Sequence, residues 1–169
     1  MTRGNSREKR WDPWLGLAAW LIVCFAVAAI GSALTATSVR TWYPGLHKPA
    51  LTPPAWVFGP AWGALYAMMA VAAWLVWRPA GWSGAGSALA LFAIQLALNV
   101  AWSGVFFGLK SPGPAFAEIV ALWLAIAATC AAFFPRSAAA GWLLVPYLAW
   151  VSFAAYLNFA IWRLNRVGP

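Results

Sequence analysis

The sequence predicts an all-α membrane protein in which five transmembrane helices form an antiparallel bundle. Of its 169 residues, 64% are hydrophobic and only 8% are charged, whereas soluble domains contain about 25% charged residues. The hydrophobic residues form long runs, and a helix that crosses a bilayer needs about 20 of them. Such runs form helices because backbone polar groups have no water to bind in hydrocarbon. We therefore expect an integral, multi-pass membrane protein.

Five hydrophobic runs have the required length. Short stretches rich in proline, glycine and basic residues separate these runs, and they predict where each helix ends. The predicted helices are 14–38, 55–77, 85–109, 114–134 and 138–162. Residues 1–13 are predicted to form a basic N-terminal tail, and residues 14–165 a single transmembrane domain.

The first connector, residues 39–54, is the only one long enough to fold over the bundle. Pro44 and Pro49 stiffen it, because proline fixes its own φ angle and restricts the residue before it. We expect this connector to close one end of the bundle as a lid. The other connectors are a few residues long, which forces neighbouring helices into antiparallel packing.

Groups that could carry acid–base or metal chemistry are scarce. Only three acidic residues occur, and Glu118 is the single charge inside a predicted helix. We expect Glu118 to reach the membrane interface or to stabilise the start of its helix. His47 in the first connector could ligate haem iron, but no carboxylate is placed to complete a catalytic triad. Cys24 and Cys130 lack metal-ligand spacing, so no metal site is predicted.

The net charge of +8 does not indicate nucleic-acid binding, because the basic residues do not form a stripe. Most stand singly at the ends of hydrophobic runs, where they anchor helices at the membrane surface. The N-terminal tail has the composition of a solvated segment, and its four basic residues could also attract anionic headgroups. The expected partner is therefore a lipid membrane and not a nucleic acid.

Polar and aromatic residues align on three of the predicted helices. Residues at i, i+4 and i+7 share a helix face, which places Gln95 and Asn99 on one side of the third helix. Amides in hydrocarbon need partners, either on a neighbouring helix or on a ligand. Converging stripes of this kind predict a pocket with aromatic walls and a few polar groups. The stripes are formed by Trp62 and Tyr66, by Gln95, Asn99 and Trp102, and by Trp150, Ala154 and Leu157.

Small residues recur every three or four positions on the opposite face of the third helix. This spacing lets two helices approach closely. It predicts either a dimer interface or tight packing within the monomer. The residues of this face are Ala93, Ala97, Ala101, Gly104 and Gly108.

Three motifs follow one another along the chain. The first connector carries WYxxLxKPxxxPP from Trp42, the third helix carries NxxWxxxFF from Asn99, and the fifth carries WLLVPYxxW from Trp142. In these motifs the sequence resembles the translocator protein/tryptophan-rich sensory protein family, whose members are also described as peripheral-type benzodiazepine receptor-like. The resemblance extends over about residues 15–165.

The resemblance implies a receptor that binds porphyrins such as protoporphyrin IX and haem, sterols, and benzodiazepine-type ligands in a pocket closed by the first connector. It also implies a homodimer, no required cofactor, and a link to tetrapyrrole and stress regulation. Light-dependent porphyrin degradation at Trp62 and Trp150, or transport of tetrapyrroles or sterols, are the alternatives that it implies. The pocket positions carried over are Tyr43, Trp62, Tyr66, Gln95, Asn99, Trp102, Trp150, Ala154 and Leu157.

The last helix departs from the sterol-recognition pattern, which needs a tyrosine within about five residues of a terminal Arg or Lys. Phe159 occupies the aligned tyrosine position, and six residues separate Tyr156 from Arg163. The sequence therefore favours a tetrapyrrole ligand over a sterol.

Overall fold

The computed structural model describes residues 13–166, and every regular element in this range is helical. Each of the four long helices has the length and composition to cross a membrane. The predicted basic tail lies outside the described residues, except for Pro13 at the start of the first helix. The helices are α1 (Pro13–Thr41), α2 (Ala55–Ser103), α3 (Pro112–Phe133) and α4 (Ala138–Leu164).

The number of helices differs from the prediction: the described residues form four long helices instead of five. The predicted segments 55–77 and 85–109 belong to one element, because helical geometry continues through the stretch that the sequence suggested was a connector. Within α2, only Gly81 departs from it, with φ of 60° and ψ of −164°. This conformation is essentially restricted to glycine.

Helix α2 folds back on itself at Gly81. A straight helix of its 49 residues would be about 75 Å long, more than twice the hydrocarbon thickness of about 30 Å. Instead, Tyr66 and Asn99 are hydrogen-bonded at 2.7 Å although they are 33 positions apart. The first arm of α2 (residues 55–80) therefore lies beside its second arm (residues 82–103).

A hydrophobic core holds the arms of α2 against α3 and α4. Its fully buried side chains include Met69, Phe92 and Phe133. The ring centroids of Phe116, near the start of α3, and Phe159, near the end of α4, are 5.1 Å apart. Helices α3 and α4 therefore run antiparallel, as their short connector predicted.

The first connector covers one end of the bundle, which we call the lid end. Its 3-10 turn, Tyr43–Gly45, packs on a π-helical turn, Gly104–Gly108, that extends α2. The ring centroids of Tyr43 and Phe107 are 5.7 Å apart. The His47 N–H donates to Asn165 Oδ1 at 3.0 Å, and Asn165 Nδ2 donates to the His47 carbonyl at 2.9 Å. These reciprocal hydrogen bonds tie the lid to the end of α4.

Candidate functional site

A cavity of about 640 Å³ lies beneath the lid. The lid, α1, both arms of α2 and α4 supply its walls, whereas α3 supplies none of the lining residues. Small-molecule sites typically have volumes of about 300–1,000 Å³. The cavity is therefore the candidate functional site.

Eight of the nine predicted binding residues line this cavity. Gln95 does not: its side chain is 1% exposed, and its Nε2 lies 3.9 Å from Met69 Sδ in the core. It stands one helical turn farther from the lid than Asn99, which places it below the cavity. The binding role of the other eight stays a prediction. They are Tyr43, Trp62, Tyr66, Asn99, Trp102, Trp150, Ala154 and Leu157.

Aromatic rings in pairs form much of the cavity wall. The ring centroids of Trp62 and Tyr66 are 5.7 Å apart, and those of Trp150 and Phe58 are 5.9 Å apart. Trp102 stacks on Phe106 of the π-helical turn, with their ring centroids 5.3 Å apart. Pairs at these distances stabilise each other. They therefore hold apolar surfaces in place around the cavity.

One amide joins three parts of the bundle at the cavity. The Tyr66 hydroxyl donates to Asn99 Oδ1 at 2.7 Å, and Asn99 Nδ2 donates to the Tyr147 hydroxyl at 2.9 Å. Tyr66 lies in the first arm of α2, Asn99 in the second arm and Tyr147 in α4. The sequence allowed Asn99 to bond a neighbouring helix or to contact a ligand. Its amide oxygen and nitrogen bond the neighbouring helices. Part of the Asn99 surface also lines the cavity.

A second amide fixes the orientation of Trp102. The Trp102 indole N–H donates to Asn158 Oδ1 at 3.0 Å, and Asn158 Nδ2 donates to the Pro112 carbonyl at 2.7 Å. Asn158 is only 1% exposed, so these bonds are shielded from water. They connect the cavity wall to the start of α3.

The lid brings one positive charge to the cavity. Lys48 is the only ionised side chain among the lining residues, and its Nζ lies 4.9 Å from the centre of the Tyr43 ring. This ammonium donates to the carbonyls of Pro44 and Leu46, each at 3.1 Å. Because it has three N–H donors, one remains for a ligand. Burial raises the pKa of the Tyr43 phenol, which therefore stays neutral and able to donate.

Helix α1 forms a wall that the sequence did not predict. Ala28, Gly31, Ser32 and Thr35 line the cavity from this helix. The pocket was predicted from aromatic and amide stripes, and α1 has no such stripe here. The sequence feature that indicates this wall is the pair of small polar residues, Ser32 and Thr35, within a hydrophobic run.

Other candidate residues lie away from the cavity. Glu118 does not reach solvent, because both of its carboxyl oxygens are buried, and they form no hydrogen bond within the described residues. Its expected role at the membrane interface or at the start of its helix stays a prediction. His47 is bonded through its backbone and does not line the cavity. Cys24 and Cys130 are buried free thiols. Within residues 13–166, no cluster of His, Cys, Asp or Glu could hold a metal ion.

The predicted dimer face is partly used inside the monomer. Gly104 is half-buried, and a Cβ at this position would lie 3.8 Å from Leu34 of α1. The rest of the face is open on the described chain, and dimer formation stays a prediction. Its exposed members are Ala93, Ala97, Ala101 and Gly108.

Comparison with known proteins matches most of the chain, and the TspO/MBR family pattern covers residues 20–163. The tryptophan-rich protein TspO of Archaeoglobus fulgidus is 42% identical over 151 residues, covering 89% of this chain and 97% of that protein. For the tryptophan-rich sensory protein of Cereibacter sphaeroides, the identity is 44% over 156 residues, with coverages of 92% and 95%. For the translocator protein of Homo sapiens, it is 39% over 156 residues, with coverages of 91% and 92%. These matches confirm the resemblance seen in the motifs: the chain is an integral, multi-pass membrane protein that belongs to the TspO/MBR family.

Proposed function

We propose that this protein is a membrane receptor that binds porphyrins, such as protoporphyrin IX and haem, and acts in tetrapyrrole and stress regulation. The observation that carries the proposal is the cavity of about 640 Å³, which combines aromatic walls with one ammonium group. A porphyrin is a flat aromatic macrocycle, so it can stack on Trp62 and Trp150. No cofactor is required for binding.

The charge on the lid favours a porphyrin over a sterol. Protoporphyrin IX carries two carboxylates, and charge-assisted hydrogen bonds between an ammonium and a carboxylate are among the strong ones. Lys48 provides the matching group beside the cavity. A sterol has no carboxylate, so its hydroxyl oxygen could accept a hydrogen bond from this ammonium but could not form the ion pair.

The test is a titration of the purified protein in nanodiscs with protoporphyrin IX, followed by quenching of tryptophan fluorescence. Trp150→Leu should weaken binding by removing a stacking surface. Lys48→Gln should weaken protoporphyrin IX binding about tenfold, but should leave binding of its uncharged dimethyl ester unchanged. Arg136→Gln is the matched control, because Arg136 is exposed and does not line the cavity. Quenching that does not saturate, or that none of these variants changes, would contradict the proposal.

A second candidate function is light-dependent degradation of the bound porphyrin. It is favoured by one observation: Trp62 and Trp150, the two residues that the resemblance implies for this reaction, both line the cavity. Illumination of the complex should then give a product spectrum that disappears in the Trp62→Phe/Trp150→Phe variant. Bleaching at the rate seen for porphyrin in empty detergent would reject this function.

We also propose that the chain crosses the bilayer five times, with one crossing in each arm of α2. The first arm of about 26 residues is about 39 Å long, which exceeds the hydrocarbon thickness of about 30 Å. Cysteines introduced at Arg78 and Lys110 should therefore react with impermeant reagents from opposite sides of a vesicle. Labelling of both from one side would refute five crossings.

We further propose that the exposed part of the small-residue face forms a homodimer. Its alanines leave room for a second helix to approach closely. Ala97→Leu should lower the dimer fraction measured by light scattering in detergent, whereas Leu124→Ala on exposed α3 should not. Equal dimer fractions in wild type and Ala97→Leu would place the interface elsewhere.

A further inference from the structure

A separate groove of about 400 Å³ lies at the lid end, outside the cavity. It is bounded by the lid, by the connector between α2 and α3, and by the end of α4. None of its residues lines the cavity. Its lining includes Trp42, Lys110, Gly113, Trp162 and Arg166.

Two cationic side chains line this groove. The Arg166 guanidinium lies over the Trp162 ring, 4.4 Å from its centre. Lys110 is exposed, and its backbone has φ of 51°, a left-handed conformation that non-glycine residues seldom adopt. The chain therefore carries a charged side chain at a position whose backbone would favour glycine.

No acidic side chain neutralises these cations in the described part of the chain. Glu118 is the only Asp or Glu within residues 13–166, and its carboxyl oxygens are buried. Arg40, Lys48 and Arg163 lie at the same end of the bundle, in or next to the lid and α4. The groove therefore lies in a field that attracts anions.

The groove lies at the ends of two candidate membrane-spanning helices, where a membrane surface is expected. It is formed where α4 ends and α3 begins, and both helices are long and apolar enough to cross a membrane. Trp42 and Trp162 line it, and indole rings favour the headgroup region of a bilayer. The Trp162 ring packs against Gly113, with its Nε1 only 2.8 Å from where a Cβ would lie.

Side chains, and not the helix N-terminus, must recognise an anion here. Pro112 and Pro114 have no N–H group, which leaves the start of α3 with few backbone donors. The Ala115 N–H already donates to the Ser111 carbonyl at 3.1 Å. Lys110 and Arg166 are therefore the charged donors that line the groove.

We propose that this groove binds the phosphate headgroup of an anionic phospholipid. Lys110 and Arg166 pair with the phosphate, while Trp42 and Trp162 contact the glycerol and the first part of the acyl chains. A soluble phosphate ester offers the same charge, but it would make no use of the two indole rings. The lipid is therefore the source to which the proposal commits.

The experiment uses delipidated full-length protein and native mass spectrometry with dioleoylphosphatidylglycerol or zwitterionic dioleoylphosphatidylcholine. Each basic residue near a membrane surface contributes a factor of about five to anionic-lipid binding. Lys110→Gln and Arg166→Gln should each weaken phosphatidylglycerol binding about fivefold, and the double variant about 25-fold. Phosphatidylcholine binding should not change.

Two controls separate this site from general attraction of charge. Arg136→Gln removes an exposed cation at the opposite end of the bundle, and should leave phosphatidylglycerol binding unchanged. The charge-preserving variant Lys110→Arg should bind like wild type, which shows that the positive charge matters, while unchanged phosphatidylcholine binding by Lys110→Gln shows that this variant is folded. Equal losses in Arg136→Gln and Lys110→Gln would overturn the proposal, as would inorganic phosphate binding as tightly as phosphatidylglycerol.

Discussion

The sharp reversal of α2 depends on a backbone conformation that only glycine adopts readily. Gly81 has φ of 60° and ψ of −164°, and an added Cβ would have no atom within 4 Å. Gly81→Ala therefore introduces backbone strain without a steric clash with other residues. Strain of this kind costs about 1–3 kcal/mol, so we expect the free energy of unfolding to fall by that amount.

Gly86→Ala provides the matched control. Gly86 lies in the second arm of α2, and a Cβ there also has nothing within 4 Å, but its φ is not positive. Alanine is better than glycine in a helix by about 1 kcal/mol, so this variant should be neutral or more stable. The two substitutions add the same methyl group, but only Gly81→Ala should lower the free energy of unfolding.

The measurement is reversible unfolding in mixed micelles with increasing SDS, followed by far-ultraviolet circular dichroism. A Gly81→Ala protein as stable as wild type would refute the reasoning, because the reversal would then tolerate a side chain. A loss of the same size in Gly86→Ala would also refute it, since the effect would not depend on the backbone conformation.

Two further predictions concern the hydrogen bonds around the cavity. Asn99→Leu should destabilise the bundle by about 1–2 kcal/mol, because it leaves the hydroxyls of Tyr66 and Tyr147 without their partner. A double-mutant cycle with Tyr147→Phe should give a coupling of about 0.6 kcal/mol. Asn165→Ala should speed hydrogen exchange of the His47 amide about fivefold, because that amide loses its acceptor.

Each of these predictions has an outcome that contradicts it. Additive effects of Asn99→Leu and Tyr147→Phe would mean that the two side chains do not interact. For Asn165→Ala, the amide of Thr52 is the internal control, since it donates to the Pro49 carbonyl at 3.0 Å. Unchanged exchange at His47, or the same increase at both amides, would show that Asn165 does not hold the lid.

The sequence predicted the helical membrane class and the position of most helices, because the hydrophobic runs are long and sharply bounded. It did not predict that residues 55–103 form one element. Arg78, Pro79 and Gly81 are typical of a connector, and only a single residue had to leave helical geometry for the chain to reverse. Periodicity locates hydrophobic faces, but it does not reveal how few residues a turn needs.

The helical stripes predicted which helix faces meet at the cavity, but not how deep the cavity reaches. Asn99 and Gln95 share one face of α2, yet only Asn99 reaches the cavity. A helical stripe defines a direction around the axis, whereas the floor of a cavity depends on how far neighbouring side chains extend. The α1 wall was not predicted because Gly31 and Ser32 leave space for the cavity by being small. Small residues of this kind form no aromatic or amide stripe.

The lid connects the two proposed sites physically. Tyr43 lines the cavity and its neighbour Trp42 lines the groove, while both rings pack on Phe106, with centroids 6.5 Å and 5.8 Å away. A lid movement that opens the cavity must therefore also change the groove wall. If phospholipid changes the affinity for porphyrin by some factor, porphyrin must change the affinity for phospholipid by the same factor. Lipid binding measured with and without porphyrin consequently tests whether the lid moves as one unit.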